Sequence, residues 1–240
     1  MSYTNSPMVS CTKLSPNHSG QRTHSIDRIT PHCVVGQCSV ETLGNVFLPK
    51  SRQASSNYGI GVDGRVGMYV EEKNRSWCSS SAANDQRAVT IECASDSKAP
   101  YAFKDVVYEK LIQLCTDICK RNGKTKLLWL GDKDKTLSYT PAPDEMVLTV
   151  HRWFADKSCP GNWMYARMGD LAEKVTAALG NQTQAPLDNA PAAWSKDALN
   201  WALENRLLLG DSNGNLKLRE NLTREQFCVM LKRYHDMRQK

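Results

Sequence analysis

The chain has 240 residues, 40% of them hydrophobic, with a formal net charge of +6 and nine cysteines. That length suits one sizeable domain and a small second one, and no segment approaches the ~20 consecutive apolar residues that cross a bilayer. The modest positive balance favours polyanions, but no basic stripe interleaved with aromatics is present, which argues against nucleic acid and leaves anionic polymers of other kinds.

Residues 1 to about 24 are polar, rich in Ser, Thr, Pro and His, and read as an irregular lead-in. They lack the charged-then-apolar pattern of a secretory leader, so cytoplasmic synthesis is expected. Short strands are expected near 32–36, 57–62, 66–70 and 88–92, with a short helix from Val40 to Val46 and a hairpin turn at Asp63-Gly64. Val106, Val107, Leu111, Ile112, Leu114, Cys115 and Ile118 recur at three- and four-residue intervals, which predicts a helix from Phe103 to Arg121 stopped by Asn122-Gly123. Leu127–Leu130 and Met146–Val150 read as short strands, and Met164 to Leu179 as another helix. Strands alternating with long helices imply an α/β layering.

Residues 181–191 have linker composition, polar and broken by proline. The remaining 192–240 predicts two amphipathic helices, one carrying Trp194, Trp201 and Leu208, the other Phe227, Leu231 and Tyr234. The turn between them, Gly210 to Asn215, lacks the terminal glutamate of a calcium loop. No CxxC pair occurs and the cysteine count is odd, so reduced thiols are expected, with Cys115 and Cys119 packed in the core.

Candidate chemistry concentrates at His151 and Cys159, two metal-binding residue types in one short stretch with Lys157 between them. His32, in the apolar run Ile29 to Gly36, is the third candidate. Two imidazoles and one thiolate leave a tetrahedral zinc with an open position, as in hydrolases. On the residues alone a second reading stands beside this one: a histidine in an apolar segment and a single cysteine are ordinary core residues.

Four segments, in order, carry a family resemblance: Ile29-Thr-Pro-His32; Ser56 to Val66; Trp77 to Asn84 followed by Ala88 to Glu92; and His151 to Cys159. From residue 29 to about 180 the chain resembles the zinc-dependent N-acetylmuramoyl-L-alanine amidases, the type 2 family that includes peptidoglycan recognition proteins and short phage lysozymes. The resemblance implies a mixed central β-sheet flanked by helices over residues 1–180, with zinc in a groove held by His32, His151 and Cys159. It further implies Glu92 as general base, Lys157 as oxyanion partner, and substrate contacts from Tyr58, Trp77 and Asn84. The chain departs from the family at Ser56, where several members carry a tyrosine, and at Asn57 and Cys78, where histidines are usual.

The tail resembles a single S-layer homology module through Trp201-Ala202, Leu209-Gly210-Asp211, Asn213-Gly214-Asn215 and Leu222 to Phe227. That likeness implies binding to a secondary cell-wall polymer, with Arg224 holding an acidic sugar, or self-association of the tails. Together the two resemblances imply a peptidoglycan hydrolase, a phage or prophage endolysin released onto the wall. A host autolysin and a non-catalytic peptidoglycan-binding protein are the alternatives.

Overall fold

The polar N-terminal stretch is not irregular. It forms two four-residue strands, β1 (Val9–Thr12) and β2 (His18–Gln21), each alternating half-buried and exposed side chains. In the computed structural model, residues 3–180, 189–210 and 214–239 are described, and the chain divides into two compact units, Met1–Asn181 and Gln182–Lys240. Most of the expected linker, residues 181–188, lies outside the described residues.

After β2 come β3 (Arg28–Cys33), α1 (Val40–Phe47), the hairpin β4 (Tyr58–Ile60) and β5 (Val66–Met68), and β6 (Asn74–Ser76). Then follow α2 (Ala82–Arg87), β7 (Ala88–Cys93), α3 (Asp105–Arg121), β8 (Lys126–Leu128), α4 (Lys133–Ser138) and β9 (Glu145–Leu148). The first unit closes with α5 (Gly161–Tyr165) and α6 (Met168–Gly180), two helices where the sequence predicts one. Seven strands make a mixed sheet in the order β1-β5-β4-β7-β3-β9-β8. Only β4 and β5 run antiparallel, joined through Gly64 at φ +77 as the Asp63-Gly64 turn predicts. β2 and β6 pair separately as a small antiparallel ribbon.

Covered on both faces, β3 is buried along its whole length, as parallel strands at a sheet centre are. The apolar stripe of α3 meets α6 and the sheet, burying Val107, Leu111, Leu114, Cys115, Ile118 and Cys119. A smaller cluster of Leu43, Phe47 and Tyr69 packs under α1. Gly59 has no room for a side chain, since a Cβ there would lie 2.4 Å from Leu43 Cδ2.

A buried ion pair ties the N-terminal stretch to this core. Glu72, 1% exposed, accepts from Arg121 at 2.5 and 3.0 Å and from the Tyr58 hydroxyl at 2.7 Å, while its backbone N–H donates to Asn5. Removing one partner of such a pair strands the other charge, so Arg121→Ala is expected to destabilise the first unit by about 3–5 kcal/mol, read as a fall in the urea midpoint.

The second unit has α7 (Lys196–Glu204) and α8 (Arg224–Arg238), the latter opened by a reciprocal Thr223–Gln226 capping box. Trp201 and Tyr234 pack ring to ring at 6.5 Å. Among the described residues of this unit only Leu207 is buried, and Trp194, Phe227, Leu231 and Tyr234 are exposed. Asp211 and Asn213, part of the expected module signature, lie outside the described residues. No described helix is long and apolar enough to cross a membrane.

Candidate metal centre

The parallel pairing of β3 with β7 sets His32 directly opposite Glu92, and the pairing of β3 with β9 brings in the segment that starts at His151. A 3-10 turn over His151–Trp153 reverses the chain, and the Arg152 N–H donates to the Cys159 carbonyl at 3.1 Å, closing the loop so that both ends face His32. One ligand atom each from His32, His151 and Cys159 falls within 4.8 Å of the others. The imidazole centroids are 5.1 Å apart, and Cys159 Sγ lies 3.3 Å from His32 Nδ1.

These positions fit zinc. Tetrahedral bonds of ordinary length separate neighbouring ligand atoms by about 3.3–3.6 Å. The nitrogens are available as lone-pair donors, because burial and then His151 hold His32 well below the usual imidazole range, and burial and then Lys157 lower His151. His32 Nε2 is buried with no hydrogen-bond partner. Such an orphan is unusual in a satisfied core histidine. The adjoining Cys33 thiol and then burial push Cys159 well above the thiol range, so metal capture would release its proton.

Glu92 is half-buried, and its Oε2 is buried without a partner while Oε1 lies 3.8 Å from Cys78 Sγ. Burial pushes its carboxyl up to about 7, against smaller opposing effects of Cys78 and Arg52. His32, Cys78 and Glu92 also place one ligand atom each within 4.8 Å of the others.

The other expected site residues divide. Lys157 is exposed, close enough for its charge to act on His151. Trp77 is half-buried and donates its indole N–H to Ser19 Oγ at 2.6 Å. Tyr58 does not reach a ligand: it is 0% exposed, with its hydroxyl held between Glu72 and the Ser6 N–H. Asn84 is 1% exposed and lines a pocket with Arg28 and Ser80. Its amide donates to Thr30 and Ser79 and accepts from Thr149 and Arg28, stitching α2 to β3 and to the end of β9. Ser56 is spent on the Tyr58 and Thr90 carbonyls. In the second unit Arg224 is exposed, and Glu220 pairs with Lys217.

Two residues escape sequence reasoning. Ser80 Oγ lies 2.9 Å from His151 Nε2, fixing the ring as partners of metal-binding imidazoles do. Its signal is conformational, a left-handed φ of +62. Arg28 reads as the polar start of an apolar strand, yet it is 5% exposed.

The family model of N-acetylmuramoyl-L-alanine amidases (Amidase_2) matches residues 17–162. No curated protein matches. Among solved structures, a selenomethionine AmpD derivative is 16% identical, covering 72% of this chain and 99% of its own, with a TM-score of 0.49. PlyL is 14% identical over 69% and 95%, with a TM-score of 0.47. The amidase LysC from Clostridium intestinale URNW is 15% identical over 65% and 85%, with a TM-score of 0.43. With the family model matched over more than half its length, the chain belongs to the N-acetylmuramoyl-L-alanine amidase family.

Proposed function

We propose that this chain is a peptidoglycan hydrolase that cleaves the amide between N-acetylmuramic acid and L-alanine, with zinc held by His32, His151 and Cys159. The observation that carries the reading is the convergence of those three ligand atoms beside a buried carboxylate oxygen, Glu92 Oε2, that has no partner. When bound, zinc supplies Lewis acidity, polarising the scissile carbonyl and making water a nucleophile near neutral pH. Glu92 takes the proton of the attacking water and returns it to the leaving L-alanine nitrogen, a role open to a carboxylate with an unpartnered oxygen. Lys157 offsets negative charge developing on the carbonyl oxygen. Trp77 offers an aromatic surface to the glycan or peptide, and Ser80 keeps the His151 ring in place.

For the tail, we propose adhesion to an anionic secondary wall polymer through Arg224, or association of tails through the exposed faces of α7 and α8. A wall-directed tail on an amidase suits an endolysin of phage or prophage origin, made in the cytoplasm. Metal analysis with mass spectrometry of digested sacculi tests the central reading. We expect peptides with a free L-alanine amino group and muramic acid with a free lactyl carboxyl; opened glycan or peptide cross-links instead would overturn it.

A further inference from the structure

We propose that a pocket next to the candidate metal centre is an oxyanion site, centred on Arg28, which takes a carboxylate or phosphate group and acts on His151 through Ser80. The pocket has a volume of about 560 Å³ and is lined by Arg28, Arg87, Lys133, Ser80, Trp153 and Phe154 among others. Strand alternation places Arg28 on the same face of β3 as Thr30 and His32.

The charges in this pocket do not balance. Arg87 holds Asp27 with two hydrogen bonds, of 2.8 and 2.5 Å, so that carboxylate is committed. Arg28 makes a single side-chain hydrogen bond, 3.3 Å from Nη1 to Asn84 Oδ1, and no ion pair among the described residues. A guanidinium has five N–H donors, so most of the capacity of Arg28 is left over, and the nearby Asp27 carboxylate that acts on it is shared with Arg87. Burial and then the Arg87 charge lower the Arg28 pKa to about 10, against the opposing effect of Asp27. Exposed Lys133 adds a second cation with no ion pair among the described residues. Planar forks of this kind bind carboxylate and phosphate in bidentate fashion.

Ser80 connects the pocket to the metal centre. It lines the cavity, and its hydroxyl lies 2.9 Å from His151 Nε2. A serine at φ +62 is held in a sparsely populated conformation, the kind of strain that surrounding contacts must maintain. An oxyanion held beside Ser80 therefore sits one residue from a metal-binding ring. Its source is either a carboxylate on the substrate's stem peptide, which rests on the function proposed above, or free phosphate.

Calorimetric titration of the zinc-loaded protein with inorganic phosphate and with acetate tests the site without any turnover. We expect saturable binding, weakened about ten-fold or more in Arg28→Gln and several-fold in Lys133→Gln. The exposed position of Lys133 keeps the test informative if the Arg28 variant misfolds. Phosphate should shift the His151 imidazole nitrogen resonances in the wild type, and Ser80→Ala should abolish that shift while phosphate still binds. No saturable binding, or unchanged affinity in Lys133→Gln and any folded Arg28→Gln, overturns the site; binding without a His151 shift overturns the link through Ser80. Muropeptides with free or amidated stem carboxylates separate the sources. A stem carboxylate predicts that phosphate raises KM and that amidation raises KM in the wild type alone; free phosphate predicts a KM indifferent to amidation. If the protein cleaves no muropeptide, the titration still decides the pocket and the failure belongs to the hydrolase reading.

Discussion

Glu92→Gln is expected to lower kcat for amide cleavage by a factor of about 100–10,000, the span attributable to a positioned general base. Zinc content should stay unchanged, because Glu92 is not one of the three converging ligands. A glutamine keeps the shape and loses the proton-accepting oxygen, so packing around Cys78 is preserved. The same substitution should stabilise the metal-stripped protein. A carboxyl with folded pKa raised to about 7 opposes folding once ionised. The sign follows from linkage: the native state binds the proton more tightly than the unfolded chain, so the wild type loses stability as pH rises from about 4.5 through about 7. Above that the variant should be more stable by about 1–3 kcal/mol, measured by denaturant unfolding at pH 5 and pH 8. A variant that turned over muropeptides at the wild-type rate would remove Glu92 from the mechanism.

What was legible in the sequence follows from where each signal resides. The helix α3 is plain because its apolar residues repeat along one continuous segment. The Asp63-Gly64 turn is plain because a local rule selects its residues. β1 and β2 are hidden because each is only four residues long: Val9-Ser-Cys-Thr12 alternates too briefly to stand out and His18-Ser-Gly-Gln21 has no apolar face; they are strands through pairing with β5 and β6, more than 50 residues away. The burial of Tyr58 and Asn84 is hidden for the same reason. Both are polar residues in motif-like segments, and both are buried because partners remote in sequence, Glu72 for one and Thr30 with Thr149 for the other, satisfy their hydrogen bonds. The convergence of His32 with His151 and Cys159 is a property of strand order. Residue types suggest that trio as a zinc set but leave it readable as ordinary core, and the resemblance tips the reading toward the site. No comparable signal pointed to Ser80, whose relevance lies in a backbone angle and one contact across 71 residues.

Cys159→Ala is expected to weaken zinc binding by more than the 10–100-fold that loss of an outer partner such as Ser80 produces, leaving the purified variant with far less than about one zinc per chain. The thiolate is the only anionic member of the triad, so its removal leaves two neutral imidazoles facing a divalent cation. Cys159→Asp should recover part of the affinity, since a carboxylate restores the charge at a bond of about 2.0–2.2 Å instead of about 2.3 Å. Thermal unfolding supplies a readout independent of activity. Added zinc should raise the wild-type Tm in proportion to the logarithm of its concentration over Kd, and chelation should reverse the rise. Cys159→Ala should be indifferent to both treatments, and Ser80→Ala should respond only at higher zinc concentration. If the alanine variant kept its zinc and its zinc-dependent Tm, the ion would have to be held by the overlapping trio of His32, Cys78 and Glu92, and Glu92 would become a ligand rather than a base.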